Sequence, residues 1–176
     1  MACSVHGDGS IIIVYVDDVM LIATRENAFG HWKAIVAKVY VKDEAAPLLR
    51  YLGAQYRLDE YDAKTPLAVR SLTVSMTDYY RAAVGRFVEE FGCGLTKVTS
   101  PHITDREWSE EGETGQFYES SASHVATLLF GSRVCRPETS AAVQRLCCHG
   151  SAWETADDKA LTRLYSFLDQ TADLGT

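Results

Sequence analysis

The sequence predicts an α+β fold, in which an antiparallel β-sheet with one helix is followed by a mostly helical region. Apolar runs rich in β-branched residues occur within residues 11–23, and residues 71–75 alternate apolar and polar side chains; each segment is of strand length. After residue 76, outside residues 94–120, the apolar residues instead recur every three or four positions, which is helical spacing. The hydrophobic fraction of 47% in 176 residues is enough for a packed core.

The first predicted element is a three-stranded antiparallel meander. A turn cluster at 7–10 and two polar residues, Asp17 and Asp18, separate apolar runs of strand length. The strands are predicted at residues 2–6, 11–16 and 19–23. A helix follows at about 28–40, with Trp32 on its buried face, because its apolar residues are spaced by three and four.

A second pair of strands is predicted after a loop at 41–47. Residues 48–58 form a strand interrupted at Gly53, and a turn follows at 59–66. Residues 71–75 alternate apolar and polar side chains, as a half-buried strand does. We expect these two strands to pair as a hairpin.

The remainder is predicted as helices around one long surface loop. Thr77 caps a helix that ends at Gly92, and residues 94–120 have no sustained apolar period. Shorter helices follow at 122–132, 137–148 and 156–169. In the last two, the predicted buried residues are Ala141, Val143, Leu146 and Cys147, then Leu161, Leu164, Tyr165 and Leu168, and Thr155 is the predicted cap with Asp158 three residues on.

Composition limits the class of protein. The net charge of −7 and the pI of about 5.2 argue against a freestanding nucleic-acid-binding protein, which is usually basic. Five cysteines without a Cys-x-x-Cys pair predict reduced thiols. No signal peptide is evident, and the longest apolar run is six residues, far short of a membrane span. We therefore expect an intracellular, cytoplasmic protein.

Asp17 and Asp18 are the strongest candidate site residues. A two-residue hairpin loop favours Asn-Gly, Asp-Gly or a leading glycine, so Asp-Asp is a poor choice for a turn. Adjacent carboxylates at the tip of an apolar hairpin suit a divalent cation, and hard oxygen ligands suit Mg²⁺. A solvated turn is the alternative. Cys147-Cys148-His149 lacks zinc-site spacing and is interpreted as a helix end.

Motifs along the chain carry a family resemblance. Tyr15-Val16-Asp17-Asp18, between apolar strands, resembles the Tyr-x-Asp-Asp box of reverse transcriptases of copia-type LTR retrotransposons. Further segments resemble that family in the same order and cover nearly the whole chain. They are Val41-Lys42-Asp43, Tyr51-Leu52-Gly53, Leu72-Thr73-Val74-Ser75 with Tyr79, Tyr80 and Phe87, Cys135-Arg136-Pro137-Glu138 with Ala142-Val143, and Lys159 to Arg163 continuing through Leu168, Thr171 and Asp173-Leu174-Gly175.

The resemblance implies the C-terminal portion of an RNA-directed DNA polymerase domain within a Pol polyprotein. It implies a partial palm subdomain with the hairpin at 1–75, a thumb helix at 76–93, a loop at 94–120 and a helical thumb or connection region at 121–176. In this family the fingers and first palm half lie upstream and supply a third carboxylate, and a ribonuclease H domain lies downstream. It further implies an RNA or DNA template-primer and deoxynucleotides as partners, and a virus-like particle as a location.

The resemblance also assigns roles to site residues. Asp17 would be the main ligand of a two-Mg²⁺ site, and Asp18 an auxiliary one. Lys42 would match a lysine that protonates pyrophosphate, but a solvated loop lysine is the favoured interpretation. Tyr15 either lines the nucleotide pocket or packs in the sheet, and Gly53 lies either beside the primer or at a tight bend.

The chain departs from the family in its closing helix. Thr162, Ser166 and Asp169 occupy positions where the family usually has basic residues, and Lys159 and Arg163 remain. Fewer cations weaken binding to a phosphate backbone. The resemblance therefore predicts weak nucleic-acid binding and no polymerisation by this chain alone. A non-catalytic, transposon-derived remnant that acts as a folded interaction domain is the alternative.

Overall fold

The computed structural model describes residues 2–41, 44–59, 71–108 and 112–174. The chain divides into two compact units, Met1–Leu52 and Gly53–Thr176, and each is described by itself. The described residues form helices and two small antiparallel sheets with the strand orders β1-β2-β3 and β4-β5-β6. The predicted mixture of α and β structure is confirmed.

The sheet of the first unit is the predicted meander. Its strands are β1 (Ala2–Val5), β2 (Ile11–Tyr15) and β3 (Asp18–Ile22). Ile11 pairs with Ile22 at one end of the β2–β3 hairpin, and Tyr15 pairs with Asp18 at the other. The turn between β1 and β2 is closed by a hydrogen bond from the His6 amide to the Ser10 carbonyl, 2.8 Å long.

Helix α1 (Arg25–Val36) begins and ends earlier than predicted. The Thr24 side chain caps it by accepting a hydrogen bond from the Asn27 amide at 3.4 Å, so the helix starts directly after β3. The prediction for Trp32 is corrected: its side chain is half-buried, and α1 has no fully buried residue. Phe29 also faces solvent.

The predicted strand 48–58 is two strands joined by a tight turn. These are β4 (Arg50–Tyr51) and β5 (Ala54–Asp59). Leu52 and Gly53 between them have φ angles of 50° and 78°. Both are in the left-handed region, as the central residues of a two-residue hairpin turn commonly are. Strand β5 pairs antiparallel with β6 (Ser71–Ser75), as predicted. Most of the predicted turn 59–66 lies outside the described residues.

The helices of the second unit confirm the predicted helical region and extend it. Gly92 ends the first of them with a φ of 62°, as its predicted capping role requires. The helices are α2 (Thr77–Phe91), α3 (Asp105–Trp108), α4 (Tyr118–Val134), α5 (Ser140–Cys148), which follows a 3-10 turn at Pro137–Thr139, and α6 (Thr155–Thr171).

The core of the second unit forms between α2, α4, α5 and α6. At its centre the Phe87 and Tyr165 rings stack with centroids 4.2 Å apart. The predicted buried residues of α6 are confirmed. In α5 the fully buried residues are Ala142, Val143 and Leu146, whereas Ala141 is exposed and Cys147 half-buried.

Segment 94–120 is not the surface loop that its lack of period predicted. It includes α3 and the start of α4, and it buries Pro101, Trp108 and Phe117. Its backbone is hydrogen-bonded to α6: the Thr96 amide donates to the Ser166 hydroxyl at 3.2 Å. Irregular chain can therefore supply core side chains when a neighbouring helix satisfies its polar backbone groups.

Candidate functional site

The Tyr15–Asp18 hairpin has its turn one residue earlier than predicted. Because Tyr15 and Asp18 form the last pair of the ladder, the two-residue loop is Val16–Asp17. Asp18 is the first residue of β3. The expectation that Asp17 and Asp18 together form the loop was therefore wrong.

Val16 has a strained backbone conformation in this turn. Its φ is 55°, in the left-handed region that β-branched residues rarely adopt. Its side chain is 84% exposed, so burial of the side chain does not offset that strain. A strained backbone next to paired carboxylates is a reason to suspect function at this turn.

Asp17 and Asp18 are both exposed. Within the described part of the chain, neither carboxylate has a hydrogen-bond or ion-pair partner. Their oxygens are thus free to bind a hard divalent cation, which fits one side of a Mg²⁺ site. Two adjacent carboxylates on one turn do not by themselves hold two ions, because a two-metal site draws ligands from separate segments.

The remaining predicted site residues are spread along the chain. Tyr15 is the last residue of β2 and is 40% exposed. Lys42 lies outside the described residues. Gly53 lies in the turn after β4, and a Cβ there would have ordinary contacts with Tyr79 and Met76 at 3.8 and 3.9 Å. Its positive φ, rather than lack of space, requires glycine.

A polar cluster that sequence reasoning missed lies at the other end of the first sheet. His6 and Asp8 belong to the β1–β2 turn, and His31 belongs to α1. Asp8 Oδ1 is 3.2 Å from His6 Nδ1, and Asp8 Oδ2 is 2.7 Å from His31 Nε2. The two imidazole rings meet edge to face with centroids 4.7 Å apart.

Additional hydrogen bonds hold Asp8 in this cluster. The Asn27 side chain donates to Oδ2 at 2.8 Å, and the Ser10 amide donates to Oδ1 at 2.9 Å. The hydrogen bond with His31 and that from the Ser10 amide hold the pKa of the Asp8 carboxyl below its ordinary value. The available sequence signals were His-x-Asp in a turn and Asn27 four residues before His31, but neither indicates that turn and helix meet.

The second unit has an open groove of about 350 Å³ along α6. One side of the groove is lined by residues of α6, namely Lys159, Thr162, Arg163 and Ser166. The other side is lined by residues of segment 94–120, among them Thr96 and Gln116. The two basic residues that the closing helix retains therefore face this groove.

Acidic and backbone groups partly offset those two cations. Arg163 Nε donates to the Ser100 carbonyl at 3.1 Å. Hydrogen bonds from Thr104 lower the pKa of Glu107, and the charges of Arg163 and Lys159 lower it further. Neighbouring groups therefore partly compensate the positive charge that Lys159 and Arg163 bring to the groove.

The cysteines match the sequence prediction. All five are free thiols. Helix α5 ends at Cys148, and His149 follows it with Nδ1 3.2 Å from the buried Asp157 Oδ1. Cys147-Cys148-His149 is a helix end in the structure, as predicted.

None of the helices in the described part of the chain combines the length and apolar character needed to cross a bilayer. Comparison of the chain with protein-family models, with curated proteins and with solved structures found no match.

Proposed function

We propose that the chain is the C-terminal portion of the polymerase domain of a copia-type LTR-retrotransposon reverse transcriptase. The observation that carries this proposal is the Tyr15–Asp18 box at the tip of an antiparallel hairpin with apolar strands on both sides. In this proposal the first sheet is palm structure, α2 is the first thumb helix, and the later helices form the connection region.

The proposed chemistry is addition of a deoxynucleotide to a primer. Mg²⁺, when bound, stabilises charge on the attacking and leaving oxygens. Asp17 supplies the principal carboxylate and Asp18 an auxiliary one. Among the described residues neither carboxylate has a hydrogen-bond or ion-pair partner, which supports this assignment. A third carboxylate from an upstream segment completes the site, so this chain alone is proposed to bind Mg²⁺ weakly and not to polymerise.

The first sheet supports the palm assignment in another way. Its strands have no fully buried side chain, so the sheet has room to pack against an upstream palm half. Two observations support weak binding of template-primer by the isolated chain. The net charge is −7, and the positive charges of Lys159 and Arg163 in the α6 groove are partly compensated by neighbouring groups.

The test extends the chain with the coding sequence directly upstream of Met1. That sequence is expected to encode a strand with an aspartate followed by aromatic and apolar residues. The extended protein is expected to incorporate deoxynucleotides on a primed RNA template in Mg²⁺. Asp17→Asn should abolish incorporation, whereas the matched exposed control Glu44→Gln should leave it unchanged.

Two results would contradict the proposal. Mg²⁺-dependent incorporation by the chain alone would show that no upstream carboxylate is needed. Full activity of Asp17→Asn in the extended protein would show that Asp17 is not part of the proposed site.

The alternative is a non-catalytic remnant that acts as a folded interaction domain. The observation that favours it is the replacement of expected basic residues by Thr162, Ser166 and Asp169 on α6. A stop codon directly upstream of Met1, together with a stably folded chain, would support the remnant.

A further inference from the structure

We propose that His6, Asp8 and His31 form a binding site for a zinc-class transition metal ion, which ties the β1–β2 turn to α1. The three residues offer two imidazole nitrogens and a carboxylate oxygen. These atoms all lie within 4.8 Å of one another. This site goes beyond the proposed polymerase function and does not depend on it.

The distances are close to those that metal coordination requires. Zn²⁺ holds nitrogen and oxygen ligands at about 2.0–2.2 Å, which spaces tetrahedral ligand atoms by about 3.4 Å. His6 Nδ1 already lies 3.2 Å from Asp8 Oδ1, and His31 Nε2 lies 2.7 Å from Asp8 Oδ2. Small side-chain rotations are enough to admit an ion between the three groups.

The donor set selects the type of metal. Imidazole nitrogens suit Zn²⁺ and its borderline neighbours, whereas Mg²⁺ prefers oxygen ligands alone. The side chains of His6, Asp8 and His31 are 63%, 29% and 17% exposed. One side of the cluster therefore faces solvent, which lets the ion enter and leaves a coordination position for water.

Asp8 is oriented independently of the histidines. The Asn27 side chain and the Ser10 amide donate to its two oxygens at 2.8 and 2.9 Å. These two bonds can persist when the histidines turn toward a metal, because neither donor is a ligand. Hydrogen bonds of this kind hold a ligating carboxylate in place and raise metal affinity.

The first unit is short of other sources of stability. Among its described residues Ser10 is the one fully buried residue, and no apolar side chain is fully buried. Small units with little buried apolar surface commonly depend on a metal or a covalent crosslink. An ion held by a turn and a helix would stabilise the folded first unit directly.

This site is separate from the carboxylates of the Tyr15–Asp18 hairpin. His6 and Asp8 precede β2, whereas Asp17 follows it. Since a strand rises about 3.4 Å per residue, the two ends of β2 lie about 14 Å apart. Loss of one site is thus distinguishable from loss of the other.

The test is calorimetric titration of the full chain with Zn²⁺, together with the visible absorption of bound Co²⁺. We expect one ion per chain. His6→Gln and His31→Gln should each weaken binding at least tenfold and abolish the Co²⁺ absorption, because a glutamine amide can donate to Asp8 but is a poor zinc ligand. His6 is largely exposed, so its substitution is expected not to disturb folding.

Three control variants address other sources of binding. His102→Gln removes an exposed histidine elsewhere, Asp17→Asn removes the hairpin carboxylate, and the double variant C147S/C148S removes the adjacent thiols. All three are expected to bind Zn²⁺ as the unaltered chain does. The proposal is overturned if the unaltered chain binds no ion, if His6→Gln and His31→Gln bind normally, or if binding is lost in the double cysteine variant.

Discussion

The surroundings of His124 give the clearest expectation of how the free energy of unfolding depends on pH. Its side chain is fully buried between aromatic rings in the core of the second unit. Nδ1 accepts from the Tyr165 hydroxyl at 2.7 Å and lies 3.3 Å from the Arg86 guanidinium, while Nε2 donates to Glu90 at 3.0 Å. This pattern fits a neutral ring protonated at Nε2, and burial lowers the pKa of His124.

Acidification is therefore expected to destabilise the second unit. A lowered pKa in the folded state means that the unfolded chain binds the proton more tightly. The stabilisation is fully present above the ordinary histidine pKa of about 6.5 and is lost as pH falls toward the folded-state pKa. The free energy of unfolding should fall by at most about 1.4 kcal/mol per pH unit in this window.

Urea unfolding at several pH values between about 7.5 and 5, spanning the histidine pKa, measures this effect. His124→Gln should have a lower free energy of unfolding at neutral pH and a shallower pH dependence. His102→Gln, an exposed histidine variant of the same unit, should keep the original slope. Equal slopes for His124→Gln and the unaltered chain would contradict the assignment.

The β2–β3 hairpin has a local conflict between residue type and backbone conformation. Val16 has a φ of 55°. The left-handed conformation costs a residue with a Cβ about 1–2 kcal/mol, and glycine avoids this cost. Val16→Gly should therefore stabilise the first unit by about 1 kcal/mol, after the greater entropy of an unfolded glycine is subtracted.

Thermal unfolding followed by a probe in the first unit, such as the fluorescence of Trp32, measures this change. Val19→Gly is the matched control, because Val19 lies in regular β3 structure and is half-buried. That control should destabilise the unit. A lower midpoint for Val16→Gly than for the unaltered chain would show that the turn is not strained.

Periodicity predicted most elements, because alternation and helical spacing reflect which faces are buried. Periodicity failed where strand pairing fixed the position of a turn, and where side chains from distant segments make contact. The polar pair Asp17-Asp18 looked like the loop, but the ladder that pairs Ile11 with Ile22 moves the loop to Val16–Asp17. The chemistry of the residues predicted this candidate site, and the register could not be known without the pairing.

Helix α6 illustrates the same limit. Thr155 and Asp158 were predicted as its cap and its acidic partner, whereas the structure has a capping box of Glu154 and Asp157. Asp158 instead accepts from the indole of Trp153 at 2.7 Å and from the Gln116 amide at 2.7 Å. Contacts between segments some forty residues apart have no local signature, and the His6, Asp8 and His31 cluster escaped prediction for the same reason.

Buried apolar surface is distributed unevenly between the two units. Every fully buried apolar side chain among the described residues belongs to the second unit. Since apolar burial is the main source of folding free energy, the two units are expected to differ in stability. The candidate metal-binding residues His6, Asp8, Asp17, Asp18 and His31 all lie in the first unit, which is expected to be the less stable of the two.

Amide hydrogen exchange should reveal this difference. Amides in the middle of α2, α4 and α6 are expected to exchange only through global opening of the second unit, because these helices enclose Phe87 and Tyr165. Amides of β2 and α1 should exchange at least about tenfold faster, since no fully buried apolar side chain holds those elements. Mass spectrometry of peptides from both units measures the two rates in one sample. Equal protection of β2 and α2 would show that the first unit is stabilised by interactions other than its own burial.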